Sequence, residues 1–229
     1  MIFAAGLGTR LYPLTADKPK ALVEIDGKTL LASAIEKIIE TGIHHIVINV
    51  HHFGDQIIRF VESHTDYDAA IFISDERNQL LETAGGLKHA SPFFHNSNHI
   101  LLYNVDILST INLKKMLDNH IQTNALATLA VKERESSRYF IFDNRSMTLC
   151  GWKNVQTGDS ILKIKNDNPV ELAFSGIHFV RREIIDLIPP FQKLSFTPFY
   201  LNLCENQKIL GYNHSGDQWK DVGKVKGER

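Results

Sequence analysis

The chain has 229 residues, 43% hydrophobic and 22% charged, enough for one α/β domain with a sizeable core and short for two full ones. A formal net charge of −1 leaves no overall field to draw it to nucleic acid or anionic lipid, so a phosphate ligand must be held by local groups. Cys150 and Cys204 fit no zinc or redox spacing and read as buried reduced thiols. No apolar stretch reaches membrane-spanning length, and the apolar start runs into Gly6 without a basic region or cleavage site. The expectation is a cytoplasmic protein whose partners include neither a membrane nor a nucleic-acid polymer.

Residues 2–5 form a short apolar strand that ends at glycine. Residues 6–28 are loop-like, with Gly6, Gly8, Pro13, Pro19 and Gly27. Leu30, Leu31, Ala34, Ile35, Ile38 and Ile39 share one face of a helix that Gly42 ends. Strand 45–50, helix 54–63, strand 69–74 and a glycine-interrupted helix start at 83–90 follow. Strand 100–103 delivers Asn104, Val105 and Asp106 at its end, before helix 113–121 and strand 125–131. Such alternation predicts a Rossmann-like α/β fold: a mixed, mostly parallel sheet flanked by helices. Ligands of such sheets bind beyond the carboxyl ends of the strands, where Gly6 and Asp106 both fall. After residue 131 a hairpin (139–142 and 148–151), strand 173–180 and short helices at 182–188 and 198–205 suggest a subdomain beside the same sheet.

The segment Ala4-Ala5-Gly6-Leu7-Gly8-Thr9-Arg10 opens a strand into glycines, which lets backbone N–H groups approach a polyphosphate. It is not the dinucleotide fingerprint, because Leu11 stands where the third glycine belongs. Nor is it a P-loop, because no Gly-Lys-Ser/Thr follows at the required spacing. What remains is Gly-x-Gly-x-Arg, then Pro-x-Thr, then Pro-Lys. Arg10 offers a forked cation for phosphate oxygens, and Lys20 follows Pro19, whose ring restricts the backbone leading to it.

This pattern resembles the nucleotide-binding signature of the sugar-phosphate nucleotidyltransferases, the NDP-sugar pyrophosphorylases. The likeness continues through Asp26-Gly27-Lys28, Leu81-Glu82-Thr83-Ala84-Gly85-Gly86, Asn104-Val105-Asp106, Phe174-Ser175-Gly176-Ile177 and Trp219-Lys220-Asp221-Val222-Gly223. The short form looks most like the bacterial N-acetylmuramate 1-phosphate uridylyltransferase branch. The resemblance implies one domain of the nucleotide-diphospho-sugar transferase fold over residues 1–229, with a nucleotide-binding half at 1–131 and a sugar-binding half at 132–229. It implies a nucleotide site of Ala4, Ala5, Gly6, Gly8, Thr9, Arg10, Lys20, Thr83, Gly85 and Gly86. Arg10, Lys20 and Asp106 would be catalytic, Glu171, Ser175 and Gly176 would meet the sugar, and Asp106 and Asp221 would bind Mg2+.

The implied substrates are a nucleoside triphosphate, with UTP favoured, and a sugar 1-phosphate such as that of N-acetylmuramate or N-acetylglucosamine. Guanylyl or thymidylyl transfer to a hexose 1-phosphate, cytidylyl transfer to phosphocholine and a non-catalytic nucleotide-sugar sensor are the rival readings. A monomer or a homodimer is compatible with the sequence. Val105 and Phe140 depart from the pattern, since many relatives carry glycine at both positions, and the acceptor is therefore the least defined element. The adjacent pairs His44-His45 and His51-His52 point to opposite faces of a strand and do not predict a shared metal.

Overall fold

The structure, a computed structural model, describes residues 1–190 and 192–223. In chain order the first half holds β1 (Ile2–Phe3), β2 (Glu24–Ile25), β3 (Lys28–Thr29), α1 (Leu30–Ile39), β4 (His45–Val50), α2 (Gly54–Ser63), β5 (Ala70–Asp75), α3 (Glu82–His89), β6 (His99–Asn104), β7 (Ile107–Ser109), α4 (Leu113–Thr123) and β8 (Ala127–Lys132). The rest holds β9 (Arg138–Asp143), β10 (Leu149–Asn154), β11 (Ser160–Leu162), β12 (Pro169–Arg181), α5 (Ile184–Leu187), α6 (Phe196–Leu203), β13 (Ile209–Asn213) and β14 (Trp219–Asp221).

Short as it is, β1 lies at the middle of the sheet between β4 and β6. Successive side chains of a strand point to opposite faces, so β1 feeds both cores. Ile2 and Ala4 join a cluster with Leu31 and Ile35 of α1 and Met116 of α4, whereas Phe3 joins one with Leu87 of α3 and Phe199 of α6. The first core depends on α1, whose N-terminus is capped by Thr29 Oγ1 accepting from Ala32 N–H (3.1 Å). Gly42, at φ +81, lets the chain turn out of that helix.

One ten-stranded sheet runs β11-β10-β9-β12-β6-β1-β4-β5, with β8 on β12 and β13 on β8. Pairing is parallel across β6-β1-β4-β5 and between β8 and β13. It is antiparallel wherever β12 meets β6, β8 and β9, and through β9-β10-β11. The sheet is mixed and helix-flanked, as the sequence predicts, but not mostly parallel: among the described strands four of its pairings are parallel, concentrated in the first half, and five are antiparallel, because β12 and the hairpin strands enter the same sheet. The second half does not sit beside the sheet. Its long strand β12 pairs with both β6 and β8 and stands at the centre.

A separate two-stranded ribbon joins β7 to β14, with Asp221 opposite Ile107 and Trp219 opposite Ser109. Cys150 and Cys204 are free and buried. Among the described residues no helix is long and apolar enough to cross a membrane.

Candidate active site

The ribbon brings together two residues remote in sequence. Asp106 stands in the turn between β6 and β7, and the register places Asp221 against the very next residue, Ile107. Val222 N–H donates to Asp106 O (3.0 Å) and Gly223 N–H to Asp221 Oδ1 (2.9 Å). A Cβ on Gly223 would overlap Asp106 Oδ2 and come within 3.0 Å of Asp221 Oδ1, so both carboxylates border the space that glycine leaves open. Lys20 Nζ donates to Asp106 Oδ2 at 2.6 Å, with the two side chains only 14% and 7% exposed. Two carboxylates on one glycine-lined space suit a hard divalent cation such as Mg2+, which takes one or two carboxylates and completes its shell with phosphate oxygens and water. Among the described residues no group of three or more His, Cys, Asp or Glu offers an all-protein site. A cation here would therefore draw its remaining ligands from substrate and solvent.

The glycine loop closes over Lys20. Gly8 is left-handed (φ +69), and a Cβ there would press on Thr15 Cγ2 at 3.0 Å and on Lys20 Cβ at 3.3 Å. Gly8 O accepts from Thr15 Oγ1 (2.9 Å) and from Leu11 N–H (2.9 Å), which folds Thr9–Leu11 into a single 3-10 turn. A Cβ on Gly6 would lie 3.7 Å from Lys20 Nζ, so this glycine keeps the approach to the ammonium open. Arg10 is solvent-exposed and, among the described residues, has no carboxylate partner.

A cavity of about 360 Å³ opens beside this cluster, lined by Ala5, Gly6, Arg10, Lys20, Thr83 and Asp106, with Asn49, Asn104, Glu82 and Ser195 completing its polar wall. Behind it runs a buried network that the sequence did not announce. Ala4 N–H donates to Asn49 Oδ1 (2.8 Å), with Ala5 N–H farther away (3.4 Å), and Asn49 Nδ2 donates to Glu76 Oε1 (2.8 Å). Ala4 is thus turned inward, a support for the loop more than a direct ligand. Burial raises the Glu76 carboxyl above its usual range, opposed by the Asn49 bond.

Gly85 and Gly86 have a packing role. A Cβ on Gly85 would strike the Gln192 carbonyl, and one on Gly86 would sit 2.7 Å from Glu76 Oε1. Gly85 N–H already donates to Leu194 O (3.1 Å). Neither glycine lines the cavity beside Lys20, and their small size seats this loop on its neighbours. Val105 is fully buried with Ile2 and Ile48, so its side chain leaves the cavity clear and the departure from glycine is absorbed by the core.

A second cavity of about 360 Å³ shares Arg10 with the first and reaches Asp221. Arg138, Phe140, Trp152, Phe174 and Thr197 line it, giving aromatic walls and polar groups. Phe140 is 3% exposed and meets Phe174 edge-on at 6.0 Å, so it forms the cavity's base. The three residues expected at the sugar stand differently. Glu171 is paired with Lys153 Nζ at 2.5 Å. Ser175 is buried, its Oγ 2.7 Å from His214 Nε2 and its carbonyl accepting from Trp219 Nε1 (2.9 Å). Gly176 (φ +76) forms the β12 bulge, where a Cβ would lie 2.9 Å from Asn104 Nδ2. Ser175 and Gly176 thus shape the wall between the cavities from behind.

Arg134 ties the ribbon to this wall. Its guanidinium lies 4.0 Å over the Trp219 ring, and Nη2 donates to Phe174 O (2.8 Å). Its Nε is buried with no partner among the described residues. Burial lowers its pKa, with nearby Asp221 opposing.

A family model described as nucleotidyl transferase matches residues 1–227. The chain is 29% identical over 232 residues to the N-acetylmuramate alpha-1-phosphate uridylyltransferase of Caulobacter vibrioides, covering 97% of this chain and 90% of that one. It is 30% identical over 226 residues to the enzyme of the same name from Neisseria meningitidis serogroup B, covering 98% and 93%. The solved structure of HddC from Yersinia pseudotuberculosis complexed with GMP-PN shares the fold, with a TM-score of 0.76 at 20% identity over 97% of this chain and 92% of that one. The match along nearly the whole chain makes this protein a member of the nucleotidyl transferase family.

Proposed function

We propose that this nucleotidyltransferase carries the uridylyl group of UTP to a sugar 1-phosphate, with N-acetylmuramate 1-phosphate or N-acetylglucosamine 1-phosphate as acceptor, and releases pyrophosphate. The observation that carries the reading is the convergence of Lys20, Asp106 and Asp221 where two cavities share Arg10. One cavity suits a nucleotide and the other an acceptor. The relatives named as N-acetylmuramate alpha-1-phosphate uridylyltransferases support the choice of substrates.

A phosphate oxygen of the acceptor attacks the α-phosphorus in line. A new P–O bond forms there, and the α–β anhydride bond breaks with its electron pair leaving on pyrophosphate. The nucleophile is already ionised at neutral pH, so no general base is required. Positioning and charge neutralisation then carry the rate. Gly6 and Gly8 let the backbone reach the phosphates, Arg10 holds the departing β,γ-phosphates, and Lys20 steadies the transferred phosphoryl group. Asp106 and Asp221 would hold Mg2+, which when bound offsets charge where the two anions approach.

Pyrophosphate release across a panel of nucleoside triphosphates and sugar 1-phosphates, with and without Mg2+, tests this. Turnover is expected for UTP with an N-acetylated sugar 1-phosphate. Nucleotide binding without turnover of any pair would sink the reading.

A further inference from the structure

Glu82 lies at φ +61, in the left-handed region that glycine favours and other side chains adopt only at an energetic cost. A fold retains such a residue where its surroundings over-determine it, and these residues gather at ligand clamps. Here the clamp is explicit. Leu81 O accepts from Leu194 N–H (3.0 Å) and Ala84 N–H donates to Leu194 O (2.8 Å), so the chain is pinned on both sides of Glu82. The pinned residue lines the nucleotide cavity next to Thr83. Its ion pair with Lys193 is long (3.7 Å), between side chains 41% and 58% exposed, and leaves the carboxylate available to a ligand.

Thr83 supplies the complementary group. Its Oγ1 accepts from Phe196 N–H (3.1 Å). A hydroxyl has one donor and two acceptor sites, so this bond leaves its proton free to donate; an ionised carboxylate only accepts. Glu82 and Thr83 therefore present an acceptor and a donor side by side. The matching ligand edge is a ring N–H beside a carbonyl. Uracil has it at N3–H and C4=O, and guanine at N1–H and C6=O. Cytosine and adenine instead carry an unprotonated ring nitrogen at that place, and its lone pair would face the carboxylate.

We infer that Glu82 is a specificity-determining residue which, with Thr83, reads the lactam edge of the nucleoside triphosphate's base. The inference rests on the nucleotidyl-transfer reading for its ligand, but not on the choice of acceptor.

Glycine adopts φ +61 without strain, so Glu82→Gly removes the carboxylate and keeps the backbone. Binding of UTP, GTP, CTP and ATP is measured by calorimetry on the full chain, alongside kcat/KM for each triphosphate and the melting temperature. The wild type is expected to bind a lactam triphosphate at least about tenfold more tightly than CTP or ATP, in line with the discrimination given by a good base-edge contact. Glu82→Gly is expected to shrink that ratio to about threefold or less while its melting temperature holds or rises. Thr83→Ser should keep the ratio and Thr83→Val should lower it. A wild type that prefers CTP or ATP, or a Glu82→Gly protein with an unchanged ratio, overturns the inference. If no triphosphate–acceptor pair releases pyrophosphate, the transfer reading fails, and the calorimetric ratios still decide for or against Glu82.

Discussion

The two cavities that meet at Arg10 are built by different means. On the side proposed for the nucleotide, one local loop supplies Ala5, Gly6, Arg10 and Lys20. A two-residue strand ends in the glycine loop, Thr15 bonds back to Gly8, and Lys20 lies under both glycines. On the side proposed for the acceptor, the consecutive run Ser136 to Phe140 meets residues from several distant elements. Phe140 comes from β9, Trp152 from β10, Phe174 from the β12 bulge, Thr197 from α6, and Asp221 from a ribbon outside the main sheet. A phosphate needs backbone N–H groups and fixed cations, which a short loop can supply. A sugar ring needs walls, which only several packed elements can supply. Changes on the nucleotide side should therefore strike the chemical step, whereas changes on the acceptor side should reach it through position and stability.

The largest expected effect is on the nucleotide side. Lys20→Ala should lower kcat by roughly 10²–10³-fold, the scale for losing one preorganised charge from a transition state. A near-normal kcat in steady-state assays would remove Lys20 from its assigned role. Next comes the ribbon. Asp221→Asn should raise the Mg2+ concentration for half-maximal activity by about 100-fold, and Arg134→Met, which removes the cation over Trp219 on the same ribbon, by about 10-fold. A metal titration of both proteins checks the order, and equal Mg2+ dependence in all three would break the link between the ribbon and the cation.

Gly176→Ala should cost about 1–3 kcal/mol of stability in denaturant titrations, because the bulge needs positive φ and Asn104 and Ile107 already crowd the site. Folding control without loss of turnover per folded molecule would mark the acceptor wall as scaffold.

Glu76 gives a pH test. Its carboxyl titrates higher in the folded protein than the ordinary 4.5, so the folded state binds more protons than the unfolded chain above that pH. The contribution is full below about 4.5 and is lost as pH rises through the raised folded value. Stability of the wild type relative to Glu76→Gln should thus fall across that window, and a flat difference would show that the Asn49 bond cancels the burial. The smallest effect is expected at Glu171, whose exposed pair with Lys153 is worth about 0–1 kcal/mol. A Glu171→Ala protein with strongly weakened acceptor binding would restore Glu171 to the sugar site.

Much of the nucleotide side was legible because its signals are local. The α2 and β4 boundaries fell where the periodicity put them, and Leu30–Ile39 formed the expected helix, for which the structure adds Thr29 as the cap. The glycine–arginine–lysine spacing was legible for the same reason, since backbone φ and a proline-restricted lysine are properties of neighbouring residues. Short pieces were not. The three-residue strands β7, β11 and β14 have too little alternation to read, and β13 is interrupted by Gly211.

By itself, then, the sequence determined a helix-flanked mixed sheet and a glycine–arginine–lysine loop, and its resemblance to a known family pointed to Asp106 and Asp221. Only the tertiary structure decided that Asp106 and Asp221 adjoin through the β7–β14 register, that β12 enters the centre of the sheet, and that Ser175 and Gly176 face inward. It also singled out Asn49, Glu76 and Arg134, which carry no motif of their own, and the left-handed backbone of Glu82 inside one. The physical reason is the same throughout. Backbone conformation and periodicity are written in near neighbours, whereas burial, strand partners and the direction a side chain faces depend on residues that only the folded chain brings into contact.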